Sequence, residues 1–367
     1  MLKKSTHPKS HYEKEEATMS KKRWVAKIGV FSIAILTVFI FSTPQLKAAP
    51  ITIKLATGMP PDEEEGLHRG AVVFKKMVEQ RAPGRLKVDI YPSNQLGKER
   101  EQFEGVKLGT IEMAWIAEGP VAGFFPEIMA LGIPYLYANE AVAFRSLDGA
   151  YGKALMEEMR KKTGVRCLGN GENGFRHFTT RNKPIKSVDD MKGLKIRVME
   201  HPGYMAMVKG LGASPVPISW GEVYMALQQG VVDGWESPIS LIESMKFNEV
   251  TKYIILDGHI YSFLPLIMND KFFLGLPPDL QRLLVDTTKA VLAVQRGQNV
   301  RNVYNGIKNL QDKGMEIYAP TEKELQVFKE RTQKPVIEFI EKTFAEKKID
   351  RKWIDQALKS AKDSEKE

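Results

Sequence analysis

Ile51-Thr52-Ile53-Lys54-Leu55-Ala56 alternates in the manner of a strand, and the loop Gly58-Met59-Pro60-Pro61 then leads into Asp62 to Arg81, where Val72, Val73, Met77 and Val78 share one helical face. Leu86 to Tyr91 reads as a second strand, Arg100 to Leu108 as a second helix and Ile111 to Ile116 as a third strand. Strands alternating with helices predict an α/β architecture with parallel pairing. The pattern continues with a helix near Ala141 to Thr163, a strand Val165 to Leu168, a glycine-rich turn and a strand Phe175 to Thr180. Ser187-Val188-Asp189-Asp190 looks like a helix cap before the strand Leu194 to Val198, and Ser219-Trp220-Gly221-Glu222 like a capping box opening a helix that stops at Gly230. A short strand Val231-Val232 is expected next. Pro278 to Asp312 reads as one long helix, with Leu280, Leu283, Leu284, Thr287, Val291 and Val294 as its apolar stripe. A helix of that length can span two lobes.

With 367 residues, 43% of them hydrophobic, the chain has material for about two domains and a sizeable core. The formal charge of +9 is concentrated at the N-terminus, and without residues 1–49 it falls to +3. The remaining bases are dispersed among acids, so no polyanion-binding stripe is present and nucleic acid is not an expected partner. Residues 1–18 are polar and charged and read as an extension upstream of the true start at Met19. Residues 19–49 read as an export signal: Lys21, Lys22, Arg23 and Lys27, the uncharged run Ile28 to Phe41, then Pro44 and the small pair Ala48-Ala49. The expected location is therefore periplasmic or otherwise extracytoplasmic. Cys167 is the only cysteine, which excludes an internal disulfide and suits a buried structural thiol.

Gly169-Asn170-Gly171-Glu172-Asn173-Gly174 matches the dinucleotide fingerprint in spelling but not in context. The fingerprint needs a helix to receive a pyrophosphate, whereas Phe175-Arg176-His177-Phe178-Thr179-Thr180 is aromatic and β-branched. No histidine pair after the export signal has the spacing of a metal helix, and no nucleophile elbow or reactive cysteine pair occurs. No catalytic residue, metal or cofactor is expected. The informative region is 173–238. In Leu194-Lys195-Ile196-Arg197-Val198 the apolar residues share one strand face, so Arg197 points to the other, near the strand's carboxyl end, where open α/β sheets place ligands. A guanidinium can bind both oxygens of a carboxylate. Spacing alone favours a surface arginine for Arg197, and Arg176 raises the same question. Trp220, Trp235 and Glu236 sit by glycine-rich turns and fit either a pocket wall or ordinary packing.

Five segments in order resemble one family: Tyr91-Pro92-Ser93-Asn94-Gln95-Leu96-Gly97, Asn173-Gly174-Phe175-Arg176, Asp190 to Val198, Glu222-Val223-Tyr224-Met225-Ala226-Leu227-Gln228, and Asp233-Gly234-Trp235-Glu236-Ser237-Pro238. They are similar to the extracytoplasmic solute receptors of TRAP transporters, the DctP-like family, over nearly all of the chain after the signal. The resemblance implies a type II periplasmic-binding-protein-like fold: two α/β lobes joined by a hinge, with a long helix spanning both. It places lobe I at 50–173 and 263–302, lobe II at 174–262 and 303–345, and a charged C-terminal tail at 346–367. It further implies that Arg197 pairs bidentately with a substrate carboxylate, that Arg176 adds a second cationic contact, and that Trp220 forms an aromatic wall. Asn173, Trp235 and Glu236 fall in the matching segments, while Glu99 and Glu118 occupy first-lobe positions that meet the far end of the ligand in some members. Ser237 stands where the family often has Asn; it is shorter and donates one hydrogen bond, which leaves the substrate subclass open. Another branch has Gln at the Arg176 position and binds a metal beside the ligand; an arginine there repels a cation.

The implied partners are a small organic acid and the membrane subunits of a TRAP transporter, and the implied action is hinge closure around the acid. A monomer is expected, because no heptad seam appears. A receptor for an ATP-driven transporter or for a sensor protein has the same architecture, and a carboxylate-transforming enzyme is the more remote alternative.

Overall fold

The structure, a computed structural model, describes residues 49–366. The polar extension and all but the last residue of the expected export signal lie outside the described residues. Residues from Pro50 onward form a compact unit of their own.

The N-terminal portion follows the sequence closely. Strand β1 (Ile51–Thr57) leads to helix α1 (Gly66–Arg81), strand β2 (Leu86–Tyr91), helix α2 (Glu99–Leu108) and strand β3 (Met113–Trp115), with β1 pairing in parallel with both β2 and β3. Helix α1 begins four residues later than its periodicity predicts because Glu65 caps it, accepting from Leu67 N at 3.0 Å and His68 N at 2.7 Å. The single helix expected over 141–163 is two, α3 (Glu140–Asp148) and α4 (Ala150–Thr163), parted where Gly149 takes an extended conformation.

The centre of the sheet departs from the expected parallel pattern. Strand β4 runs unbroken from Val165 to Thr180, through the segment expected as a turn, and bulges between Cys167 and Gly169 and between Glu172 and Gly174. It pairs antiparallel with β9 (Ile260–Asn269), whose ten residues are all buried. The glycines keep this strand flat where its neighbours press close: a Cβ on Gly171 would sit 2.9 Å from Gln295 Oε1 and 3.1 Å from the Trp115 ring.

The rest of the chain supplies β5 (Lys195–Val198), α5 (Pro202–Gly210), β6 (Ser214–Pro217), α6 (Val223–Gln228), β7 (Gly234–Pro238), α7 (Ile239–Ser244) and β8 (Tyr253–Ile255) before β9, then α8 (Asp270–Gly275). The expected strand at Val231-Val232 is a turn, and the strand starts at Gly234. The sheet order is β2-β1-β3-β9-β4-β7-β5-β6, with β8 pairing β4 and β10 (Glu316–Tyr318). Parallel pairing holds within β2-β1-β3 and within β7-β5-β6, while β9 and β4 join these two groups antiparallel.

Helix α9 (Pro278–Asp312) packs on α1, β4, α7 and β10, and so reaches both groups. Its buried face turns polar where it crosses β4. Gln295 accepts from Glu172 N at 2.8 Å and donates to Glu172 O at 2.7 Å, and Asn299 donates to Asn173 O at 3.0 Å. These amides satisfy backbone groups that the bulge frees. Val294, expected on the stripe, is 42% exposed because the buried face drifts with the helical period.

The charged segment 346–367, expected as a tail, is the end of helix α10 (Glu322–Glu346) followed by α11 (Lys352–Ser364). Its charges lie on the outer face, while Trp353, Ile354, Ala357 and Ala361 are buried. Tyr151 Oη donates to Trp353 O at 3.1 Å and Arg145 Nε to Ser364 O at 2.8 Å, which tie the helix to α3 and α4. A second, smaller core gathers around Trp235, Phe247, Val232 and Leu310.

Candidate functional site

Glu99, Asn173, Arg176, Arg197, Trp220, Trp235 and Ser237, seven of the nine residues expected at the site, line one cavity together with apolar side chains that include Met59, Met199, Leu241 and Leu264. Its volume is about 20 Å³, room for about one ordered water. Clefts of about 480 and 570 Å³ lie elsewhere and touch none of the nine residues. Size does not single out a site here; the convergence of buried polar groups does.

Arg197 reaches the cavity by strand alternation. Ile196 and Val198 enter the core and Arg197, 3% exposed, points the other way, as the sequence predicts. Its Nε donates to Ile218 O at 2.8 Å, and its two terminal nitrogens have no acceptor among the described residues. Burial pushes its pKa down to about 10, against the pull of Glu236, so it remains a cation at neutral pH. Arg176 differs. It forms a buried ion pair with Glu236, its Nη2 donating to Glu236 Oε1 at 3.0 Å and to Glu236 O at 2.6 Å.

Glu236 faces His259 in turn, with Nε2 and Oε2 3.6 Å apart, and His259 Nδ1 meets Asp257 Oδ2 at 2.7 Å. Burial works against a charge on His259, but Asp257 and then Glu236 outweigh it and raise its pKa to about 9. The result is a buried row of alternating charges, Arg176, Glu236, His259 and Asp257, that sums to zero. Arg176 is thus bonded to a carboxylate of the protein, and Arg197 is not, although Glu99 shares its cavity.

Strand β7 adds two hydrogen-bonding groups to the wall. Ser237 Oγ and Trp235 Nε1 are fully buried and unpartnered. Asn173 Nδ2 donates to Ser262 Oγ at 3.0 Å. On the other side Glu99, the first residue of α2, accepts from Ala117 N at 2.8 Å through Oε1, and Oε2 has no donor among the described residues. Burial raises its pKa, with Arg197 and Arg176 opposing.

The structure places two expected site residues behind the wall. Glu236 is engaged with Arg176 and His259, and Glu118 accepts from Tyr204 Oη at 2.6 Å and from Ser262 Oγ at 2.9 Å. Asp257 and His259, which hold Glu236, were not singled out in the sequence. They lie on the approach to β9, and only an antiparallel pairing that was not read there brings them beside β4 and β7. Cys167 is half-buried at the cleft of about 480 Å³ against α9, and burial pushes its thiol up to about 12.

Trp220 closes the cavity from the turn before α6. A Cβ on Gly58 would lie 3.2 Å from its ring, and Lys98 Nζ, beside α2, meets Glu222 Oε1 at 2.8 Å. The expected capping box at 219–222 is replaced by a hydroxyl-carboxylate contact: Ser219 Oγ donates to Glu222 Oε2 at 2.6 Å, and α6 starts only at Val223.

Residues 58–343 match the family model described as bacterial extracellular solute-binding protein, family 7. A solute-binding protein of Verminephrobacter eiseniae is 39% identical over 252 residues, covering 68% of this chain and 75% of its own. Among solved structures, the sugar acid binding protein DctPAm from Advenella mimigardefordensis, in complex with galactonate, is 28% identical with a TM-score of 0.80, over 86% of this chain and 99% of that one. A TRAP periplasmic solute binding protein from a Polaromonas species, bound to D-erythronate, is 33% identical with a TM-score of 0.76, over 84% and 98%. The mixed sheet and long crossing helix described above are the type II two-lobe architecture of these proteins. The chain belongs to the bacterial extracellular solute-binding proteins of family 7.

Proposed function

We propose that the protein is the solute receptor of a TRAP-type secondary transporter, capturing a small organic acid between two lobes and delivering it to the membrane subunits. The observation that carries this reading is Arg197: a buried cation with two free nitrogens, beside the unpartnered Ser237 Oγ and Trp235 Nε1. Buried donors without an acceptor are costly, and a carboxylate docked on the terminal nitrogens of Arg197 would supply one. Arg176, held by Glu236, acts as a second and weaker contact.

Lobe I is assigned to 50–173 and 263–302 and lobe II to 174–262 and 303–345, a division supported by the two parallel strand groups that β4 and β9 connect. About 20 Å³ is too little for an acid of several carbons, so the walls must part for entry, and closure then expels water around the bound acid. The closed shape is what the membrane subunits recognise. This reading assigns the ligand no chemistry: the charges beside Arg176 are engaged with one another, Arg176 with Glu236 and His259 with Asp257. Export places the receptor outside the cytoplasmic membrane, and it works as a monomer.

The test is Arg197→Ala. After a thermal-shift screen of organic acids finds a ligand, calorimetry with the variant is expected to show a loss of at least about 2 kcal/mol, roughly thirtyfold in affinity. A loss under about threefold would remove Arg197 as the carboxylate partner. Hits confined to neutral or cationic compounds would overturn the organic-acid reading altogether.

A further inference from the structure

We infer that Glu99 makes this cavity selective for monocarboxylates whose far end carries hydroxyl groups, and that it excludes acids with a second carboxylate there. The inference rests on the receptor reading above and specifies the substrate class. It begins with a count of charges at the cavity. Arg176 is neutralised by Glu236, so Arg197 is the one cation on the wall left for an anionic group among the described residues. One guanidinium with two free nitrogens seats one carboxylate.

The opposite wall offers no second cation among the described residues. Its acidic member is Glu99, whose ionised form is opposed by burial and favoured by Ala117 N, Arg197 and Arg176, and which comes from the β3 side of the sheet order, whereas Arg197 comes from the β5 side. Glu99 is held in place by Ala117 N, which donates to its Oε1 at 2.8 Å, and its side chain is buried. Its Oε2 has no donor among the described residues, and Glu99 lines the same cavity as Arg197. A carboxylate oxygen accepts hydrogen bonds and donates none, so it favours a hydroxyl. A second carboxylate would face it as a like charge in a site from which water is excluded. Ser237 Oγ and Trp235 Nε1 can donate to ligand oxygens between the two ends.

The experiment compares acids that differ only at the far terminus: D-erythronate with meso-tartrate, and galactonate with galactarate. Within each pair chain length and internal hydroxyls are the same, and a terminal hydroxymethyl becomes a carboxylate. Calorimetry on the wild-type protein is expected to show the monoacid of at least one pair bound roughly a hundredfold more tightly than its diacid. In Glu99→Gln, which keeps an acceptor for Ala117 N, the monoacid should weaken roughly tenfold and the gap within the pair should shrink to about threefold or less. Diacids that bind the wild type as well as the monoacids would overturn the inference, and so would an unchanged gap in Glu99→Gln. Tighter binding of 4-aminobutyrate than of D-erythronate would also overturn it, since Glu99 would then be an ammonium site. The wild-type comparison needs no variant and stands even if Glu99→Gln folds poorly. Failure of every carboxylate to bind, or binding unaffected by Arg197→Ala, would instead bring down the receptor reading itself.

Discussion

At the scale of single residues, the fold buries charges in two ways that respond oppositely to pH. His259 has a folded pKa of about 9 against an ordinary 6.5, so the stability from its contacts with Asp257 and Glu236 is complete below pH 6.5 and is lost as pH rises through 9. His177 and His201 are buried neutral, with pKa values lowered by desolvation to about 4 and about 3, so their contribution is complete above pH 6.5 and is lost on acidification. Glu65 and Glu172, raised by burial to about 7, gain on acidification over an overlapping window. Two losses and two gains largely offset one another between pH 4.5 and 6.5. From pH 7 to 8, below the range where the unfolded-state thiol of Cys167 titrates against its folded value of about 12, the alkaline arm is left to His259. Melting temperature is expected to fall from pH 7 to 8 with a slope approaching one proton, at most about 1.4 kcal/mol per pH unit. In His259→Asn the protein should be less stable at pH 7 and its alkaline slope should flatten; parallel curves for the two proteins would exclude His259 as the titrating group. Residues on this scale were legible in the sequence where strand alternation decides orientation, as for Arg197. Glu118, expected by resemblance to meet the ligand, and Glu236, open between pocket wall and packing, are instead occupied by Tyr204, Ser262, Arg176 and His259, partners too distant in sequence to be read as theirs.

At the scale of elements, one contact knot explains why β4 could not be read locally. Trp115 is fully buried, its Nε1 donating to Leu264 O at 2.9 Å, and its ring lies between α1, β4 and α9. Gly70 on α1 and Gly171 on β4 are glycines because the ring occupies the space a Cβ would need; at Gly70 the ring carbons would be 2.8 Å away. A run of glycines looks like a turn in isolation, and only this tertiary crowding makes it a strand. Strand β9 escapes local reading for a related reason: both its faces are buried, so apart from Ser262 and the terminal Asn269 it is apolar on both and shows no alternation. Helix α11 was masked by its charged outer face. Gly70→Ala tests the knot. Alanine is favoured over glycine in a helix by about 1 kcal/mol, while overpacking a pinned aromatic ring costs about 1–3 kcal/mol. The net expectation is a destabilisation of about 1 kcal/mol, visible as a lower urea midpoint at unchanged slope. A stabilised variant would mean that the ring can move aside, and the account of Gly171 would lose its support as well.

At the scale of the whole molecule, the closed cleft is held by packing more than by charge. Lys98 and Glu222 are each about half exposed, and such a pair contributes little, about 0–1 kcal/mol. Closer contacts come from Trp220 against Gly58, and from Gly119, where an added Cβ would be 2.7 Å from Met199. Glycine at 58 and 119 lets the two walls meet. Opening should therefore uncover Trp220, which is half-buried here, far more than Trp115, Trp235 or Trp353, which are buried in the closed form. If the receptor opens and closes as proposed, tryptophan emission should shift to the blue as an acid is titrated in, saturating with the calorimetric affinity. Trp220→Phe should remove most of that shift. Trp235 also lines the cavity and can sense the ligand directly, so the variant separates the two sources: a shift that survives whole in Trp220→Phe reports contact with the ligand at Trp235 and not closure. A protein that gives no shift, yet binds the acid, already holds its lobes together before the ligand arrives, and entry would then need only a local displacement of the turn that carries Trp220.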